Sequence, residues 1–106
     1  MICRLWHGYT AFDNADAYEN LLKSEIFINI EGRKIKGYKG IQLLRRDLEN
    51  EVEFITIMWF ESLEAVRSFA GEDYEKAVVP AEAQKLLSHF DSLSQHYDVR
   101  REIKRQ

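Results

Sequence analysis

From Val52 to Phe60 the chain reads Val-Glu-Phe-Ile-Thr-Ile-Met-Trp-Phe, a run of β-branched and aromatic residues too short for an ordinary helix. As a strand it shows Val52, Phe54, Thr56, Met58 and Phe60 to one side and Glu53, Ile55, Ile57 and Trp59 to the other. Both sides are largely apolar. A strand with one wet face alternates apolar with polar, so this pattern predicts cover on both faces.

The remaining segments supply less than that. Ile2–Tyr9 reads as a first strand. Asp13 or Asn14 is placed to cap a following helix, and Tyr18, Leu21, Leu22 and Ile26 recur along it at helical spacing. Its end is ambiguous, since 26–30 also suits a short strand. Gly32, Gly37 and Gly40 punctuate a basic loop, and 40–46 reads as a second strand. The polar turn Asp47-Leu-Glu-Asn-Glu51 makes this strand and 52–60 an antiparallel hairpin. Ser62 caps a helix that carries Leu63, Val66, Phe69 and Ala70 and stops at Gly71. Pro80 suits the first position of another, whose stripe is Ala83, Leu86, Leu87 and Phe90. The last strand is 94–100.

The order βαββαβ predicts an α+β, ferredoxin-like fold: a four-stranded antiparallel sheet with its helices on one face. Right-handed crossovers put the first and third strands side by side at the centre. The helices then cover only one side of Val52–Phe60. The other side is expected to meet the sheet of a second copy, making a homodimer.

At 106 residues, 1–106 is read as a single domain with one modest core. Fifteen basic and 18 acidic residues give a net charge of −3, which argues against a dedicated nucleic-acid surface. The basic tail from Arg100 to Arg105 reads as a solvated end. The single cysteine, Cys3, allows no internal disulfide and suits a reducing compartment. No signal-peptide core or membrane-length apolar run occurs, so a cytoplasmic protein without membrane association is expected.

Several stretches together resemble the antibiotic-biosynthesis-monooxygenase-like family of the dimeric α/β-barrel superfamily. They are Arg4-Leu-Trp-His-Gly8, Gly37-Tyr-Lys-Gly40 leading into Leu43-Leu-Arg-Arg46, Phe54 with Trp59, Phe69-Ala-Gly-Glu-Asp-Tyr74, Ala77-Val-Val-Pro80 and His96-Tyr97. The resemblance covers nearly the whole chain. It implies two ferredoxin-like sheets facing each other in a dimeric α/β barrel, with a pocket in each subunit between sheet and helices. The activities it implies are cofactor-free oxidation of aromatic or quinol-like molecules, haem degradation, or ligand binding without catalysis. The haem-degrading branch carries an Asn, a Trp and a His where this chain has His7, Phe69 and about Val79, which speaks against haem.

His7 is the leading catalytic candidate, because an imidazole accepts a proton from a phenol or hydroquinone near neutral pH. His96 is the second: end-matching of the last strand beside the first brings His96 or Tyr97 near His7. Trp6 and His7 point to opposite faces of a strand, so only one lines a given pocket. Trp6, Trp59, Phe69 and Tyr74 are candidate substrate contacts for a planar ring. Arg4, on the face of Trp6, requires an acidic partner such as Asp98 or Glu53, or a ligand anion, if buried. For Arg4, Arg45 and Arg46 an interface salt bridge is the expected role. His89 is read onto a helix away from the other histidines. No metal-ligand spacing or glycine-rich phosphate loop occurs, and no flavin, nicotinamide or other cofactor is expected.

Overall fold

A computed structural model describes residues 1–105. Strand β1 (Ile2–Thr10) leads into helix α1 (Phe12–Leu21), which continues through a π-helical turn (Leu22–Ile26) into α2 (Phe27–Gly32). The hairpin β2 (Tyr38–Asp47) and β3 (Val52–Phe60) follows, then α3 (Leu63–Ala70) and α4 (Ala81–Leu86). Two short strands, β4 (His89–Phe90) and β5 (Gln95–Asp98), close the chain. The antiparallel sheet runs β2–β3–β1, with β4 and β5 sharing the far edge of β1. This is the ferredoxin-like α+β arrangement, its fourth strand broken in two.

Residues 2–10 of β1 pair with 60–52 of β3 without interruption. On one face the pairing aligns Ile2, Arg4, Trp6, Gly8 and Thr10 with Phe60, Met58, Thr56, Phe54 and Val52. Nearly all of these are buried against the helices. Two apolar clusters form there. One gathers Trp6, Tyr18, Leu22, Val52, Phe54 and Ala83, the other Ile2, Met58, Phe60, Ala65, Val66 and Phe69.

The opposite face carries Leu5, His7, Tyr9, Ile55, Ile57 and Trp59, all only half-buried, and Leu44, which is exposed. The helices leave this face open, as the one-sided helix arrangement predicted, so the cover that the β3 pattern calls for is not supplied within the chain.

Several boundaries differ from the sequence reading. The helix starting at Phe12 has Ala11 at its N-cap with no side-chain cap, so neither Asp13 nor Asn14 caps it; Asn14 donates instead to the Leu86 carbonyl, 3.4 Å away. Residues 27–32 are helical, the π-turn carrying the helix on rather than releasing a strand. The helix after Pro80 ends at Leu86, and Leu87 is extended. Ser88 and Asp91 then donate to the Tyr9 and His7 carbonyls, at 2.7 and 3.0 Å. The exposed edge of β1 needs those backbone partners, and this need outweighs the helical spacing of Phe90. His89 thus lies in the sheet, paired with Tyr9, and not on a helix.

Ser62 caps α3 as its position suggests, its Oγ accepting from the Ala65 N–H at 3.2 Å, and Gly71 ends the helix at φ 90°. Replacing Ser62 with Ala should lower stability by about 1 kcal/mol in denaturant unfolding. An unchanged midpoint would show that the cap contributes nothing.

Candidate functional site

The two apolar clusters meet at a seam, and the seam holds a cavity of about 70 Å³. Arg4 and Trp6 of β1 and Thr56 and Met58 of β3 form its floor. Leu22, Ile26 and Phe27 from the π-turn region, with Phe69, Val79, Pro80 and Ala83, close over it. Five of its residues, Ile26, Ile30, Phe69, Val78 and Pro80, also line an outer cleft of about 230 Å³. The cavity and the cleft therefore adjoin, between the long helix and the segment before α4. A π-turn adds a residue to one helical turn and re-aims the side chains after it, and such turns recur at functional sites.

Trp6 is held from three directions. Its Nε1–H donates to the Asp91 carbonyl at 2.8 Å, and its ring meets Phe90 at 5.9 Å between centroids. It also lies across Gly8, where a Cβ would sit 2.6 Å from Cη2 of the indole. Any larger residue at position 8 displaces the indole from the cavity wall.

Arg4 is the charged group of the site and is only 4% exposed. Its Nη1 donates to the Tyr74 carbonyl and to His96 Nε2, the latter at 3.0 Å. Nη2 donates to the Lys76 carbonyl at 3.3 Å, and the guanidinium lies 5.4 Å from the Phe69 ring centre. Neither Asp98 nor Glu53 is its partner: Asp98 pairs with Ile2 at the strand end, and Glu53 lies on the opposite face. Burial lowers the Arg4 guanidinium to about 10. Burial, and then the Arg4 charge, also holds His96 below its ordinary 6.5, with Glu75 opposing. Because Arg4 can only donate, His96 Nε2 is the acceptor, and the ring is neutral with its proton on Nδ1.

The sheet register sorts the remaining candidates. His96 lies opposite Arg4 and packs edge-on against Tyr74 at 5.1 Å; these two line a neighbouring open groove that shares Ser94 with the cavity. Arg4, Trp6, Phe69, Tyr74 and His96 thus gather on the helix side. His7 and Trp59 are on the other face. The expected approach of His96 or Tyr97 to His7 does not occur, because β5 pairs with residues 2–5 of β1 and reaches no further. His7 instead has Asp91 at 3.4 Å and Glu53 at 4.0 Å, and Trp59 donates to Gln42 at 3.1 Å. Arg45 pairs with Asp16 and Glu19 on α1, and Arg46 with Glu53, so both make their ion pairs within the chain.

Among solved structures that match is the crystal structure of a Bacillus cereus protein provisionally named as an antibiotic biosynthesis monooxygenase. It aligns over 98% of this chain and 97% of that one, with a TM-score of 0.69 and 12% identity. The likeness is one of fold. It supports, at that level, the resemblance to the antibiotic-biosynthesis-monooxygenase-like family. No family model and no curated protein matches the sequence.

The cavity offers haem iron no imidazole or thiol ligand. Sequence reasoning missed Thr56, Ser94 and the π-turn residues. Thr56 did leave a signal: with Arg4 it interrupts the largely apolar helix-facing rows away from their ends.

The depressed His96 pKa makes stability pH-dependent in a defined sense. Below about pH 6.5 the unfolded chain takes up a proton that the folded chain resists, so stability falls as pH drops through that point. His96→Gln keeps an acceptor for Arg4 but does not titrate. Between about pH 7.5 and about pH 5 the native protein should lose more thermal stability than this variant. Equal losses would show that the imidazole is not held neutral.

Proposed function

We propose that this chain is a cofactor-independent monooxygenase acting on a small aromatic or quinol-like molecule bound in the cavity between sheet and helices. The observation that carries this reading is that the seam cavity is walled by Trp6, Met58 and Phe69 and floored by a buried arginine. It occurs in a fold shared with a protein named for such an activity. An electron-rich ring supplies its own electrons: a ring CH₂ and O₂ give a carbonyl and water, and a hydroquinone and O₂ give a hydroxyquinone and water, so in each one oxygen atom is inserted and the other reduced. The protein's part is to orient the ring, favour its ionised form and exclude water.

In this reading Trp6 and Phe69 hold the ring and Arg4 meets its oxygen. His96 and Tyr74, next to Arg4, set the polarity of that end. His96 acts on the substrate only through Arg4, since its Nε2 accepts from Nη1 and it does not line the cavity. His7 is the proton acceptor only for a substrate lying between two facing sheets. A second copy on the open face would create that space, removing Leu5, Ile55, Ile57 and Trp59 from water. A second reading, a ligand-binding dimer without catalysis, is favoured by one observation: no imidazole or carboxylate lines the cavity itself.

Oxygen uptake with 1,4-naphthohydroquinone and with anthrone separates these readings. Uptake above the buffer rate should fall about ten-fold or more in Ala83→Leu, which fills the cavity, and in His96→Ala, but not in His7→Ala. Loss in His7→Ala alone would move the chemistry to the sheet–sheet side. Thermal stabilisation by either compound without uptake would favour the non-catalytic reading.

The dimer has its own test. The native chain should elute with the mass of two copies and Ile57→Asp with that of one, circular dichroism being unchanged. A monomeric native protein would remove this part of the proposal.

A further inference from the structure

We infer that the ligand of the seam cavity carries an anionic oxygen, a carboxylate or phenolate, that pairs with the Arg4 guanidinium. The inference rests on the cavity being a ligand site, as proposed above, but not on any reaction there.

A buried charge is costly unless another charge or a full set of hydrogen bonds compensates it. Arg4 lacks both. Its partners are the Tyr74 and Lys76 carbonyls and the neutral His96 ring. Among the described residues no carboxylate forms an ion pair with it, whereas the more exposed Arg45 and Arg46 take Asp16, Glu19 and Glu53. Three of the roughly five N–H donors of a guanidinium are thereby used. Nε–H and one Nη2 hydrogen keep no acceptor among the described residues.

Arg4 stands in the wall of a cavity whose other surfaces are mostly apolar, with Thr56 and Ser94 as small hydroxyl groups. The downward push of burial on the guanidinium has the same origin, a low-dielectric site with no resolved opposing charge. An anionic oxygen supplies the missing charge and the missing acceptor together. A neutral carbonyl or amide supplies only the acceptor. The indole of Trp6 and the ring of Phe69 select a planar organic anion over an inorganic one, since a hydrated ion gains nothing from their faces.

The arginine also ties down the 74–76 segment, so its presence alone does not prove a ligand. Two isosteric probes separate the roles: benzoate and neutral benzamide, titrated into ¹⁵N-labelled protein. Benzoate should shift the amides of Trp6, Thr56, Val79 and Ala83 and bind roughly ten-fold tighter than benzamide, as a charge-assisted contact allows. Arg4→Lys should keep that preference, and Arg4→Met should abolish it, the two probes then binding equally.

The proposal is overturned if benzoate at millimolar concentration leaves those amides unmoved, or if the two probes bind equally. It is equally overturned if a folded Arg4→Met protein still prefers benzoate. Should Arg4→Met fail to fold, the ratio measured on the native protein decides alone. No turnover enters the measurement. An inactive protein that prefers benzoate upholds this inference and sinks the monooxygenase reading, and an active protein without preference does the reverse.

Discussion

One register governs this molecule: the antiparallel pairing of residues 2–10 with 60–52. Side chains alternate along a strand, so a slip of one residue would exchange the faces of a whole strand. Phe54, Met58 and Phe60 of β3 are driven under the helices by burial of large apolar surface. Given that, the pairing leaves no freedom for β1. Arg4 and Trp6 go to the helix side, and His7 and Tyr9 to the open side. The hydrophobic effect acting on β3 therefore decides where the charged and titratable residues of β1 stand.

The seam follows from the same alignment. Arg4 on β1 and Thr56 on β3 fall near the middle of the helix-facing rows, where a continuous core would place two more hydrophobes. The core divides around them into a cluster at each end of the sheet. The helix above accommodates the gap through its π-turn, which turns Leu22, Ile26 and Phe27 toward the seam. Neither cluster is large, as expected for a chain this short. Polar interruption at the centre costs packing that a purely structural domain would retain.

Much of this architecture was legible because it depends on local pattern. The period-two run of β3, the Ser62 cap and the element order each carry their own physical signature. The failures share a different cause. The stripe Ala83, Leu86, Leu87 and Phe90 satisfies helical spacing, yet the free edge of β1 at Gly8 and Tyr9 draws residues 88–91 into backbone pairing, and Phe90 meets Trp6 from a strand instead. The π-turn has no composition of its own. The position of His96 depended on the reach of β5, which pattern alone does not specify. Site residues on β1 were thus recognisable as candidates, but their grouping required the register of three other strands.

That grouping changes which residue is the most informative about function. His7 draws attention as an imidazole beside aromatic residues, yet its side chain is 27% exposed and already has Asp91 and Glu53 within ion-pair range. Water and those carboxylates satisfy it as they would any surface histidine, and such contacts are worth little. Arg4 is in the opposite situation. It is only 4% exposed, and its hydrogen-bond partners are two carbonyls and a neutral imidazole. An electrostatic interaction gains strength as the local dielectric falls, so a charge left uncompensated in this cavity discriminates among ligands far more sharply than one at the surface. On the proposed reading, the histidine stands where an electrostatic contact is weak, and the arginine where it is strong.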